Sequence, residues 1–360
     1  MMMNSQQDRI KYPEIKLNFA MAPVTDEPVY LHPSVKPLNH KGNGPFIRNQ
    51  FGQLVWIYRK LAYVSDDDGK TWQTYQIFKD MQIAVNDCHC LTLSPKNTLV
   101  LSFIYDTYFN WNRKTNKPTQ NTHAYQWVIR SVDGGKSWSD PVLIQQGYAA
   151  ETMSMVALPS GRLVVASQNL DYEEGRHFSL SLYSDDDGLT WHRSNKVDIG
   201  GQGHHGGCFE GCLLPLQDGR LWFCIRTNRD WLWNVYSEDD GTSWTQMEKG
   251  LPASSSPATV IRLASGRLCM VYNQVYREGE DTIERRAGLF SEIPSSWQRE
   301  ALSIRFSEDD GVSWGDPQVI ASCEGAWLAY AFVFEPQPGR IWITTMQSEL
   351  RIQLQESDFI

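Results

Sequence analysis

Three acidic residues stand at the heads of apolar hairpins: Asp87 in "AVNDCHCLTL", Glu151 in "GYAAETMSM" and Glu210 in "GGCFEGCLLPLQDGRLWFCIRT". A carboxyl in such a place can move a proton, and a general acid needs its pKa raised by partial burial. Val85, Cys88 and Cys90 would supply that environment around Asp87. Histidines gather at the same kind of position: His40, His89 and the pair His204-His205 in "GGQGHHGGCFEG". They predict a polar cluster facing a shared cavity. Neither CxxC nor HxxxH spacing accompanies them, so no metal is expected. Seven cysteines, odd in number and dispersed, read as buried free thiols rather than a disulfide framework.

A repeat must position these side chains. "SDDDGKTW" (65–72), "SVDGGKSW" (131–138), "SDDDGLTW" (184–191), "SEDDGTSW" (237–244) and "SEDDGVSW" (307–314) share Ser-x-Asp-x-Gly-x-(Thr/Ser)-Trp. In a tight turn between strands the Asp accepts hydrogen bonds from turn amides, the Gly supplies a positive φ, and the hydroxyls add local bonds. The Trp anchors the turn in apolar surroundings. Five acidic turns would also suit calcium, but the copy at 131–138 keeps a single acid, which favours a folding role.

Upstream runs a second repeat, an apolar strand, a Gly-(Arg/Gln)-(Leu/Ile) turn and another apolar strand, as in "MVALPSGRLVVASQ" (155–168) and "TVIRLASGRLCMVYN" (259–273). "CLTLSPKNTLVLSFI" (90–104) is a degenerate copy, and no stretch has sustained helical periodicity. Six such hairpins predict an all-β, six-bladed β-propeller over residues 1–360, each blade a four-stranded antiparallel sheet. The blades fall at about 40–80, 85–145, 148–200, 204–250, 253–320 and 324–360, with residues near 15–35 supplying a closing strand. No blade buries its faces alone, so blade boundaries are not domain boundaries.

A hydrophobic content of 41% is enough for a real core. The net charge of −9 works against nucleic acid or an anionic membrane surface as partner, while an anionic small molecule is still accommodated where arginines gather. No secretory leader and no apolar run of about 18 residues is present, which predicts a cytoplasmic protein without a membrane span. Fourteen tryptophans and fifteen tyrosines suit inter-sheet packing or sugar stacking. Phosphate loops and nucleotide or redox motifs are absent, so no cofactor is expected.

The five acidic turns resemble the Asp boxes, or BNR repeats, of the sialidase (neuraminidase) superfamily, whose propellers carry them on the perimeter, away from the chemistry. The resemblance implies a glycoside hydrolase with a tyrosine nucleophile, a partner glutamate, an aspartate acid/base and three arginines gripping a carboxylate. A neutral phenol suits an anomeric carbon that bears a carboxylate, because an anionic nucleophile would be repelled. On matching positions, Glu210 and Arg226 resemble the family's glutamate and second arginine, and Arg299 in "QREALSIRFSEDDG" resembles the third. Tyr330 in "GAWLAYAFVFEPQPGRIW" stands where the nucleophile belongs, and Asp87 resembles the acid/base.

One departure is plain: His40, Lys41 and Gly42 occupy the place of the first arginine. Lys41 offers a point charge without a bidentate grip. The expectation is an exo-acting hydrolase of the sialidase clan acting on a terminal anionic sugar of a glycan, with Asp87, Glu210 and Tyr330 catalytic. Arg226, Arg299 and Lys41 would bind the anionic group, and His40, His89, His204, His205 and Glu151 would line the pocket. Three other readings stay open. Glu151 and Glu210 could form a two-carboxylate hydrolase; the histidines could serve a lyase that removes the proton α to a uronate carboxylate; or the propeller could bind carbohydrate without turnover. Sugar, linkage and oligomeric state are left open by the sequence.

Overall fold

The structure, a computed structural model, describes residues 9–12, 15–18, 22–79, 82–86 and 88–360. Among these the only helical element is a 3-10 turn, Glu356–Asp358; everything else regular is strand. The chain forms two compact units, one of residues 1–44, 251–286 and 295–360, the other of residues 45–250 and 287–294.

All six expected hairpins form. In the unit centred on 45–250, Phe46–Arg48, Leu54–Tyr58, Leu61–Ser65 and Gln73–Gln76 make one four-stranded antiparallel sheet, and Cys90–Leu93, Leu99–Tyr108, His123–Ser131 and Val142–Gln145 make another. Met155–Ala157, Leu163–Asp171 and Arg176–Ser184 continue into Gly203–Pro215, Leu221–Thr227, Trp231–Ser237 and Gln246–Pro252. A short parallel contact, Arg176 to Gly203 and His177 to Gly207, joins those two sets. Only glycine fits there: a Cβ on Gly207 would lie 1.9 Å from the His177 carbonyl oxygen.

In the other unit, Thr259–Arg262, Leu268–Tyr272, Ala301–Ser307 and Gln318–Ser322 form a sheet that Val29–Leu31 and Ile10–Tyr12 extend. Ala331–Gln337, Arg340–Thr345 and Arg351–Gln355 form the last sheet, completed by Lys36–Pro37. The segment near 15–35 is the one expected to supply a closing strand; in it Val29–Leu31 pairs with Gln318–Ser322, and the two residues that complete the last sheet follow directly after it.

The hairpin turns follow from backbone chemistry. Gly52, Gly161, Gly219, Gly266 and Gly339 all have φ between +76° and +94°. The degenerate copy lacks the glycine and uses Asn97 at φ 64°, asparagine being one of the few other residues that tolerate the left-handed region. Strand interiors such as Leu99, Val100, Leu101 and Phe103 are fully buried, as expected of strands covered on both faces.

The acidic turns are nearly identical. In the fourth, Ser237 Oγ accepts from the Gly241 amide at 2.8 Å and donates to Asp239 Oδ1 at 2.7 Å. The Ser243 amide and hydroxyl donate to the two oxygens of Asp239 at 2.7 and 2.6 Å. The residue before each turn glycine, Asp68, Gly134, Asp187, Asp240 or Asp310, also has positive φ, which explains why only Asp or Gly fills that place. All seven cysteines are free and buried. Among the described residues no cluster of three or more His, Cys, Asp or Glu is arranged to hold a metal.

Candidate active site

In the unit centred on 45–250, the strand Gly203–Pro215 is irregular between Phe209 and Cys212. Glu210 lies in that bulge at φ 50°, a conformation that costs a non-glycine residue about 1–2 kcal/mol. Gly211 beside it is obligatory, since a Cβ there would sit 2.3 Å from the Phe223 ring. Bulges re-aim side chains. Here the Glu210 carboxylate, only 9% exposed, meets the Arg226 guanidinium in a buried ion pair. Arg226 also lies over the Phe209 ring, 4.6 Å from its centroid, and Gln168 accepts the Glu210 amide proton.

A polar group surrounds this pair. Burial, and then the charges of Glu151 and Glu210, push the Tyr148 phenol well above its ordinary range. The Tyr148 hydroxyl lies 3.3 Å from His204 Nε2. Burial, and secondarily the Arg226 charge, hold His204 neutral with a pKa of about 4. His177 is depressed further, by burial and then by His204 and Arg226. Glu151 accepts from Asn86 Nδ2 at 3.0 Å, and the Asn86 carbonyl lies 2.9 Å from Nδ1 of His89, whose burial lowers its pKa to about 4. Behind them, Gln126 bonds the hydroxyls of Ser102, Thr152 and Ser167.

The structure thus brings Glu210, Arg226 and His204 into one group, with Glu151 acting on it through Tyr148. His205 is half-buried, accepts from the Leu289 amide at 2.6 Å and stacks on Phe209. Asp87 lies outside the described residues. Tyr148, Gln168, Asn86 and His177 were not foreseen; Tyr148 and Asn86 had a signal, lying three residues before Glu151 and one before Asp87 in the quoted stretches.

The remaining candidates belong to the other unit. Tyr330 precedes the strand Ala331–Gln337 at φ 59°, the same strained geometry that Glu210 adopts. The buried Arg299 guanidinium lies 5.6 Å from its ring centroid, donates to Gln347 Oε1 at 2.8 Å and to the Ser255 carbonyl, and is stacked by Trp297 and Trp327. His40 Nδ1 accepts from the Gly42 amide at 2.9 Å and its ring leans on Trp342. Lys41 is exposed.

The BNR repeat-like domain matches residues 52–343. The chain belongs to that family. A sialidase of Micromonospora viridifaciens is 24% identical over 308 residues, 76% of this BNR chain and 44% of the relative. The chain spans half or less of the length of the curated relatives it matches. In fold it is similar to the NanB sialidase of Streptococcus pneumoniae (TM-score 0.57, 15% identity, 90% of this chain and 70% of that one). It is equally similar to an α-L-arabinanase of Penicillium chrysogenum (TM-score 0.56, 14% identity, 96% and 99%). The all-β fold of this BNR protein is therefore the one these glycan-active enzymes use.

Proposed function

We propose that the protein is an exo-acting glycoside hydrolase of the sialidase clan, built on a six-bladed propeller, that releases a terminal anionic sugar from a glycan. The observation that carries this is Glu210, a strained and buried carboxylate paired with Arg226 at the head of a strand. Strain and buried charge are costs a fold keeps where chemistry needs them. Family membership and the sialidase and arabinanase relatives support the reaction class. In this reading the Tyr330 phenol oxygen bonds to the anomeric carbon as the glycosidic C–O bond breaks, Glu210 takes the phenol proton, and the leaving oxygen receives a proton from Asp87. Water then resolves the glycosyl-tyrosine. Arg226 and Arg299 hold the anionic group.

A second reading has its own support in the Tyr148–His204 contact. A neutral imidazole beside a phenol can take the proton α to a uronate carboxylate while the phenol protonates the departing oxygen, with Arg226 as charge neutraliser. The products separate the two. Incubation with sialosides and with uronate-containing oligosaccharides, followed by product mass, is expected to show an intact released sugar. Its release should fall at least 100-fold in Tyr330→Phe and in Glu210→Gln. An unsaturated, ultraviolet-absorbing product lost in His204→Ala would replace hydrolysis by elimination. Turnover that survives Tyr330→Phe but is lost in both Glu151→Gln and Glu210→Gln would give the chemistry to two carboxylates. Binding with no product would leave a carbohydrate-binding propeller.

A further inference from the structure

The buried side-chain amides around the Glu210 group are not used alike. Gln126 spends both ends, its Nε2 donating to the hydroxyls of Ser102 and Thr152 and its Oε1 accepting from Ser167. Asn169 does the same: its Oδ1 accepts from the Tyr148 amide at 2.8 Å and its Nδ2 donates to the Gln146 carbonyl at 3.1 Å. Gly147 permits that approach, since a Cβ there would lie 2.4 Å from Asn169 Nδ2. Gln168, one residue earlier on the strand Leu163–Asp171, is only 1% exposed and is bonded at one end. Its Oε1 accepts from the Glu210 amide, while its Nε2 is buried with no hydrogen-bond partner among the described residues.

The orientation of that amide is fixed. Only its oxygen can face the Glu210 N–H, so Nε2 is held on the opposite edge. Gln145 secures the backbone beneath it, its Nε2 donating at 2.8 Å to both the Gln168 carbonyl and the Ser167 hydroxyl. Successive residues of a strand point to opposite faces, so Asn169 serves Tyr148 while Gln168 serves Glu210. A buried N–H without an acceptor is rarer in folded proteins than an under-used carbonyl, and it costs stability unless something arrives to use it. The hydroxyl, ring and carboxylate oxygens of a sugar are the acceptors this donor lacks.

We propose that Gln168 is a substrate ligand of the Glu210 site: its Oε1 fixes the strained bulge, and its Nε2 donates to an oxygen of the sugar held beside the Glu210–Arg226 pair. The proposal rests on the reading of Glu210 as the carboxylate of the site. It places an uncharged donor next to a guanidinium, so Arg226 answers the charge of the ligand while Gln168 selects the position of one of its oxygens. Because a single amide does both tasks, the contact with the sugar and the backbone of Glu210 are tied together.

The variant Gln168→Glu separates the two ends. It keeps an oxygen for the Glu210 amide and replaces the donor by a carboxyl that donates only when protonated. The full chain is titrated with a sialyl trisaccharide and with a uronate tetrasaccharide, and affinity is read as Kd by calorimetry, or as KM where the ligand is turned over. The titrations of Glu210, Glu151, His177 and His204, and the charge of Arg226, are common to both proteins, so the ratio of variant to wild-type affinity isolates position 168. That ratio should be about one tenth near pH 8 and rise toward one near pH 5, as the burial-raised carboxyl takes up its proton. A ratio of one throughout would mean that Gln168 acts only on the bulge, and would overturn the contact; so would the absence of saturable binding of either ligand to wild type. Gln168→Met has neither polar end and no charge, and so decides the matter if the glutamate variant misfolds. Its affinity should be about tenfold below wild type at every pH, and equal affinity overturns the contact. Product mass from the same mixtures is a separate readout. Product with a ratio of one overturns the contact and leaves the hydrolase reading standing, whereas a pH-dependent ratio without product does the reverse.

Discussion

The strands Gly203–Pro215, Leu221–Thr227 and Trp231–Ser237 carry very different chemistry at their two ends. At one end the Ser237–Trp244 turn satisfies its carboxylate with three hydrogen bonds made inside eight residues. At the other, Glu210 and Arg226 are buried charges from different strands, and Nδ1 of His204 and Nε2 of Gln168 have no hydrogen-bond partner among the described residues. The turn is self-sufficient, which is why it recurs five times along the chain. The other end depends on several strands at once and retains unsatisfied polar atoms, which packing alone would not select. The two ends should therefore respond unequally to substitution, pH and ligand.

The largest difference is expected from Arg226→Met. Removing one partner of a buried pair strands the Glu210 carboxylate, at a cost of about 3–5 kcal/mol in urea unfolding. The double variant Glu210→Gln, Arg226→Met should recover much of that loss. If the single variant unfolds at the wild-type urea midpoint, the pair is not buried as described. Next comes Gly207→Ala. Its φ of 87° and the His177 carbonyl 1.9 Å from the added Cβ should cost about 3 kcal/mol and disturb the His177–His204 contact. A nuclear magnetic resonance titration of the His204 ring would register the second effect.

Acid sensitivity gives the third. The folded pKa of His204, about 4, lies below its unfolded value of about 6.5, so its contribution is fully present above the unfolded pKa. It is lost as pH falls from about 6.5 through 4, and amounts to about 2–3 kcal/mol. His204→Phe should flatten the stability profile across that interval, leaving the share that His89 contributes for the same reason. An unchanged profile would mean that His204 is hydrated and titrates normally.

The turn end was legible in the sequence because its interactions are local. The glycine of five hairpins and the asparagine of the sixth, the Ser-Asp-Gly-Trp pattern and the apolar strands between them each state a backbone requirement within a few residues. Lys36–Pro37 was not legible, being two residues long, without apolar alternation and containing a proline that only edge positions tolerate. At the other end, Glu210 was visible as an acid at the head of an apolar hairpin, while the role of Arg226, like those of Arg299 and Tyr330 in the other unit, was reached through resemblance; the positive φ of Glu210 and Tyr330 has no sequence signature because neither is glycine. Gln168 reaches Glu210 and Asn86 reaches Glu151 through contacts between hairpins, which no single stretch encodes.

The smallest expected effect belongs to the turn end. Burial pushes the Asp186 carboxyl up, but hydrogen bonds from the Thr190 hydroxyl and amide, the Ser184 hydroxyl and the Leu189 amide outweigh it and hold the pKa at about 2. A depressed carboxylate contributes stability that is present above its unfolded pKa, near 4, and lost as pH falls through about 2. The group is largely exposed, so solvent screening reduces this to about 1 kcal/mol. Asp186→Asn should remove the dependence between pH 4 and 2 and leave untouched the interval from 6.5 to 4 in which His204 titrates. Urea midpoints measured across both intervals in the two variants would show whether the ends of these strands titrate independently. A change in the upper interval caused by Asp186→Asn would mean that the perimeter turns also set the electrostatics of the buried group, and the division between scaffold and site would fail.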